Sequence, residues 1–344
     1  MTTHFVATDD ELASGALELE TLDAIRASIS EQGYAVVANL ISDETCELLM
    51  GSVLEDAAIV RAQAKKTAHE DRTGKGHLQL GLRRYAPYVT ADLVANPLIE
   101  HVVSAVLGKG AWLGFYNGNV NLPGSEHQPL HYDRPYSWAS KAAAEADGQP
   151  WPPPTTTLSC SVGLTEITEE NGATEIYPRS HLETAVADWP LGTRPGKYPE
   201  LLEKWGPPGR MAIPRGGVCF RDPRMWHRGV PNPSDEVRPM IAITYHAGRC
   251  LSWRGRLLHD ISQEQLERCT QDPSLKVLDD GTIDDGRLVF DADVRAVFDG
   301  APNLHGVNRN VRFIEAPLKV NHFIDAHLIG GARVIEGEVQ AVPS

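Results

Sequence analysis

Residues 112–133 read WLGFYNGNVNLPGSEHQPLHYD, and this stretch decides the fold. Trp112 to Asn121 is a β-rich run in which Asn117, Asn119 and Asn121 alternate. An extended backbone puts those three amides on one face, either lining a pocket or facing solvent. Pro123-Gly124 then turns the chain, and the segment ends in His131-Tyr132-Asp133. Side chains i and i+2 of an extended segment point the same way, so one imidazole and one carboxylate can reach a common ion while Tyr132 packs on the other side. A second imidazole from a neighbouring strand would complete a 2-His-1-carboxylate face with three positions open. His227, in Met225-Trp226-His227-Arg228-Gly229, is expected to supply it. His-x-Asp alone is weak: a second instance, His69-Glu70-Asp71, sits in a polar loop without strand context and reads as chance.

Outward from this stretch, short β-rich runs recur at Thr155–Leu164, Thr174–Pro178, Gly217–Phe220 and Met240–Ala247. Many short strands with turn residues between them indicate a sandwich or jelly roll. Asn171-Gly172 between two of the runs predicts a hairpin. Before residue 111 the pattern is mostly helical. Leu22, Ile25 and Ile29 form one stripe of a helix over Leu19–Gln32, with Gly33 as its stop. Tyr34–Val37 is a short strand, a helix runs from Ser42 or Asp43 to about Ala64, and Asn96 caps a helix that begins at Pro97 and ends at Gly108. Residues 134–154 and 183–213 are Pro-containing excursions of the kind that form lids. Helices are expected at Ser262–Cys269 and Ala292–Phe298, and a strand near Val311–Ile314. The expected organisation is one domain over 1–344: an N-terminal helical layer (1–110), a jelly-roll core (111–250) and a C-terminal extension (251–344).

The 344 residues carry a formal net charge of −14, a poor surface for binding nucleic acid. No apolar run is long enough to span a membrane, and the N-terminus lacks the basic and apolar regions of a secretory signal. Five scattered cysteines without a C-x-x-C fit reduced thiols and a cytoplasmic location, and argue against a zinc ribbon. A homodimer is compatible with all of this. The charge is uneven: Gly209–Arg256 holds nine arginines against Asp222, Asp235 and Glu236, a local +6. Arg238 lies eleven residues after His227 at the start of a β run, where its fork could hold the far end of a dicarboxylate. The other arginines either pair with acidic residues elsewhere, or Arg221, Arg224 and Arg228 help bind an anionic small-molecule substrate.

Four motifs in order carry a resemblance: His131-Tyr132-Asp133; Glu170-Asn171-Gly172-Ala173 leading to Tyr177-Pro178-Arg179-Ser180-His181; Gly216-Gly217-Val218-Cys219-Phe220 with Trp226 to Asn232; and Arg238. Together with Gly33 to Leu40 they resemble the phytanoyl-CoA dioxygenase family over about residues 20–250. The resemblance implies a mainly β fold with flanking helices around a double-stranded β-helix, the cupin-like jelly roll. It implies Fe(II) on His131, Asp133 and His227, 2-oxoglutarate on Arg238, and use of O2 with release of succinate and CO2. It places Ser161 in the cosubstrate pocket. Asn117 and Asn119 are read as cosubstrate contacts, Asn121 and Trp138 as substrate contacts, and Trp226 as a core residue or else a wall of the substrate pocket. Related halogenases lack the carboxylate, so Asp133 points to hydroxylation or another oxidation of a metabolite from secondary metabolism. An acyl-CoA is the less favoured substrate, since nothing outside the arginine-rich stretch looks built for a nucleotide. One departure is Arg179, where the family often has glycine. The competing readings are a Zn(II)- or Ni(II)-dependent cupin-like isomerase or hydrolase, 2-oxoglutarate-dependent desaturation or rearrangement, and a non-catalytic binding module.

Overall fold

The computed structural model describes residues 3–63, 74–83, 87–189 and 194–247, with short pieces at 276–277, 283–284, 289–290, 304–305, 307, 312–313, 332–335 and 338–341. The N-terminal part contains β1 (His4–Val6), α1 (Asp9–Ser14), α2 (Leu19–Gln32), β2 (Tyr34–Ala38), α3 (Asp43–Gln63), β3 (His77–Gly81), α4 (Ala91–Val94) and α5 (Pro97–Leu107). The remainder contributes β4 (Trp112–Asn121), α6 (Lys141–Ala146), β5 (Thr157–Gly163), β6 (Thr174–Ile176), α7 (Pro199–Trp205), β7 (Gly209–Met211), β8 (Val218–Arg221), β9 (His227–Arg228) and β10 (Arg238–His246).

These ten strands form two sheets. The larger has the order β1-β2-β8-β5-β10-β4-β3, and the smaller β7-β6-β9. Alternation in sequence decides what each face of the larger sheet meets. Leu158, Cys160 and Val162 of β5, and Ile241, Ile243 and Tyr245 of β10, are buried in one core with Ile25 and Ile29 of α2, Leu49 and Val53 of α3, and Ile99 and Val103 of α5. Each such side chain contributes about 1.5–3 kcal/mol by leaving water. The intervening residues, Ser159 and Ser161 on β5 and Met240, Ala242 and Thr244 on β10, face a cavity instead. The helices thus back one face of a barrel wall whose other face is free for chemistry.

Local signals act as expected where they are strongest. Gly33 ends α2 in the left-handed region at φ 90°, and Asn96 accepts from the backbone of Leu98 and Ile99 to start α5. Three expectations need correction. Residues 1–110 are not purely a helical layer: β1, β2 and β3 belong to the larger sheet. His77–Gly81 escaped the sequence reading because a five-residue edge strand after a polar loop shows little periodicity. Asn171-Gly172 does not make a hairpin: β5 pairs with β10 and β8, β6 pairs with β7 and β9, and the dipeptide ends a 3-10 turn that crosses between the sheets. The helices expected at 262–269 and 292–298 lie outside the described residues. A two-residue strand does occur at Arg312–Phe313.

Candidate metal centre

A cavity of about 450 Å³ lies between the sheets, lined by both. At one end of the larger sheet, Arg238 is in register with Asn121, and Asn121 with His77. At the other end, Phe115, Thr244, Ser159 and Arg221 form a row across four adjacent strands. All seven side chains line the cavity.

The smaller sheet brings the histidines together. His131 and His227 face each other in an antiparallel bridge, exchanging backbone hydrogen bonds of 3.0 and 2.9 Å. Opposite residues in such a bridge point to the same side, so both rings enter the cavity. Asp133 follows two positions later, its backbone N–H donating to Pro223 O at 2.9 Å. One ligand atom from each of His131, Asp133 and His227 can be chosen so that all lie within 4.8 Å of one another. His131 Nε2 is 3.6 Å from Asp133 Oδ1, and His227 Nε2 is 3.4 Å from Asp133 Oδ2.

Backbone carbonyls fix the tautomers. His131 Nδ1 lies 2.8 Å from Pro129 O, and His227 Nδ1 2.9 Å from Met225 O. A carbonyl only accepts, so each Nδ1 carries a proton and each Nε2 is the nitrogen left to face Asp133. Arg221 Nη1 also sits 3.2 Å from His227 Nδ1, but a nitrogen that is donating to Met225 cannot accept from it. Burial, then the neighbouring His227, drives the His131 pKa down to about 3, which keeps its ring neutral. Burial alone would raise the Asp133 carboxyl; His227 and Arg221 outweigh it and hold the group well below the usual carboxylate range. Two imidazoles and one ionised carboxylate, all facing a cavity, fit a divalent first-row metal with open positions.

The arginines sort themselves by partner. Arg210 pairs with Glu169, Arg215 with Asp43, Arg221 with Asp133, Arg224 with Asp222 and Arg228 with Glu175. Of the six described arginines in the basic stretch, Arg238 is the one without a carboxylate. It is 4% exposed, its Nη2 donates to Gly172 O at 3.0 Å, and its Nε has no partner. Burial lowers its pKa to about 10.

Several expected contacts are not in the cavity. Arg224 is buried against Asp222, donates from Nη1 to Pro153 O and stacks over Tyr136, so it fastens the 134–154 excursion. Arg228 follows His227 and therefore points to the opposite side, to Glu175 at 2.7 Å. Trp226, on that side too, is fully buried with Tyr132, Tyr136 and Tyr177. Trp138 donates from Nε1 to Asp147 Oδ2 at 2.7 Å within its own loop and does not line the cavity. Asn117 is half-buried and is not among the lining residues. Asn119, Asn121 and Ser161 do line it, but Asn121 is spent on structure, donating to Val230 O at 2.9 Å and accepting from Ser125. Lining residues that sequence reasoning missed include His77, Gln79, Gln128, Arg134 and Thr174. The i, i+2 pair His77 and Gln79 was the available signal on β3. Arg179 has φ 70°, in the left-handed region that glycine adopts most readily.

Residues 29–260 match the family model of phytanoyl-CoA dioxygenase (PhyH). The chain belongs to that family. It is an iron- and 2-oxoglutarate-dependent dioxygenase. Among curated proteins it is 25% identical over 223 residues to dioxygenase andF of Emericella variicolor, covering 63% of this chain and 71% of that one. It is 28% identical over 219 residues to dioxygenase trt7 of Aspergillus terreus, covering 63% and 70%. Among solved structures it is similar to the non-heme alpha ketoglutarate dependent carbocyclase SnoK from nogalamycin biosynthesis, at TM-score 0.49 and 19% identity, over 67% of this chain and 84% of that one. Among the described residues no helix is long and apolar enough to cross a membrane.

Proposed function

We propose that this dioxygenase hydroxylates a small-molecule intermediate of secondary metabolism, with Fe(II) on His131, Asp133 and His227 and 2-oxoglutarate on Arg238. The observation that carries the reading is Arg238: a buried guanidinium without a carboxylate, in the same cavity as the triad. A buried cation is costly unless an anion meets it, so the site is complete only when a carboxylate ligand is bound. Ferrous iron there supplies O2 activation coupled to decarboxylation of 2-oxoglutarate; one oxygen atom goes to succinate, the other into a substrate C–H bond, and CO2 leaves. The chain's own contribution is positional and electrostatic. His131 and His227 keep their protons on Nδ1 and offer Nε2. Asp133 stays ionised and would hold the metal through its carboxylate. Arg238, anchored through Nη2 on Gly172 O, leaves its Nε edge for the distal carboxylate. Asn119, Ser161 and Thr174 face the same space with polar side chains, while Met211 and Met240 line it with apolar ones.

Anaerobic reconstitution with Fe(II), followed by O2-dependent succinate release from 2-oxoglutarate, tests this. Uncoupled succinate release is expected even without substrate. No succinate, together with no 2-oxoglutarate binding in the presence of metal, would sink the reading.

A further inference from the structure

Arg221 has a place that neither the metal set nor the cosubstrate anchor uses. It ends β8, four residues into an alternating strand whose inward positions are Cys219 and Arg221, and lies in the row Phe115–Thr244–Ser159–Arg221 on the larger sheet. Its side chain is 6% exposed and crosses the cavity wall to the smaller sheet, where Nη2 donates to Asp133 Oδ2 at 2.6 Å. Asp133 needs such a support. It belongs to no ladder, its described backbone tie is the one to Pro223 O, and Arg221 is the described donor to its carboxylate apart from the imidazoles. A carboxylate held only by its backbone can rotate about its terminal bond and offer a metal one oxygen or two.

We infer that Arg221 is a positioning residue that ties up one oxygen of Asp133, so that the carboxylate gives the metal a single oxygen and three coordination positions stay open. A two-oxygen carboxylate would close one of the positions that 2-oxoglutarate and O2 require. The arginine fork suits the task because it is rigid and permanently charged, whereas a lysine would hold the oxygen as a mobile point charge. Arg224 supplies the comparison: it is as buried as Arg221 and also paired to a carboxylate, but that carboxylate is Asp222, away from the metal set. The inference rests on the triad being the metal site.

The test uses the full chain and Co(II) as probe metal, followed by its visible d–d absorption, with melting temperature measured alongside. Arg221→Met should weaken Co(II) about 10–100-fold, the usual cost of losing an outer support of a ligand, and should change the band shape as the coordination number changes. Arg221→Lys, which preserves charge and most of the volume, should recover part of the affinity; it keeps the measurement available if the methionine variant does not fold. Arg224→Met should lower the melting temperature and leave Co(II) affinity and spectrum as in the parent. Unchanged Co(II) affinity and spectrum in the folded Arg221 variants would overturn the inference. So would a loss confined to 2-oxoglutarate binding at saturating Co(II), which would make Arg221 a cosubstrate contact. Asp133→Ala separates the two levels: if it binds Co(II) like the parent, the triad reading itself fails.

Discussion

The two sheets of the barrel differ in regularity, and the difference divides their labour. In the larger sheet, nine-residue β10 is paired along most of its length on both sides, with β4 and β5. In the smaller sheet, β6, β7 and β9 have three, three and two residues, and its last rung is the single bridge between His131 and His227. The large sheet carries most of the helix-backed core and lends the site two arginines. The small sheet contributes little core but holds the histidines and, just beyond its edge, Asp133. Short strands leave the backbone free to aim side chains; long ladders fix a wall against which they are aimed.

The largest expected effect breaks the small sheet's chemistry without its stability. His227→Ala or Asp133→Ala should lower succinate release by at least about a thousandfold, as for loss of a first-row metal ligand, while the melting temperature moves by only a few degrees. A variant that still turns over 2-oxoglutarate at a tenth of the parent rate would show that the ligand set is different.

Next comes Arg238 on the large sheet, where stability and function should move in opposite directions. Arg238→Met removes a buried charge that has no described counter-ion, so the ligand-free protein should melt a few degrees higher. The same change should weaken 2-oxoglutarate by about 30- to 1,000-fold, the cost of truncating one side of a buried charge pair. A lower melting temperature without ligand, with unchanged 2-oxoglutarate affinity, would mean that Arg238 is a structural cation.

The division between the sheets also explains what was legible in the sequence. The central strands of the large sheet were legible as the β-rich runs Thr155–Leu164 and Met240–Ala247, whereas its edge strands β1 and β3 were not. The strands of the small sheet are too short for any period; their active residues were found by residue type and order, from His131-Tyr132-Asp133 and from Trp226-His227. Partners across the fold were hidden. Nothing near Arg228 in sequence shows that Glu175 neutralises it in place of a substrate anion, whereas Asp222, two residues before Arg224, was in view and went unassigned. Asn171-Gly172 misled for a related reason: a turn dipeptide specifies a local backbone shape, not which sheet the next strand joins.

A smaller effect tests whether the large sheet sets the acid limit of stability. His246, at the end of β10, is 2% exposed, stacks on Trp112 with ring centroids 4.6 Å apart, and has Nδ1 3.2 Å from Thr157 Oγ1. Burial, with Arg134 adding to it, lowers its pKa from the ordinary 6.5 to about 3. The folded state therefore favours the neutral ring. That stability is complete above about pH 6.5 and is lost as pH falls through about 3, on the order of 5 kcal/mol at most. His246→Phe keeps the stacking and cannot charge, so urea titrations should show a shallower loss of stability between pH 6.5 and 4. An unchanged acid limb would assign it to other groups.

The smallest effect lies at the seam between the sheets. Gly172 has φ 81° and its carbonyl accepts from both Arg238 Nη2 and Asn121 Nδ2, so one peptide joins the cosubstrate anchor to the turn entering β6. A Cβ there would lie 2.6 Å from Asn121 Nδ2 and 2.9 Å from Pro231 O, and the backbone oxygen cannot swing aside as a side chain could. Gly172→Ala should therefore cost about 1–3 kcal/mol, from left-handed strain plus the contact. The shift needed to relieve the contact moves the carbonyl that holds Arg238. The KM for 2-oxoglutarate should rise a few-fold while Co(II) affinity stays that of the parent, because His131 and His227 are fixed by their own bridge. A fall in metal affinity instead would show that the seam couples the sheets more tightly than their separate ladders indicate.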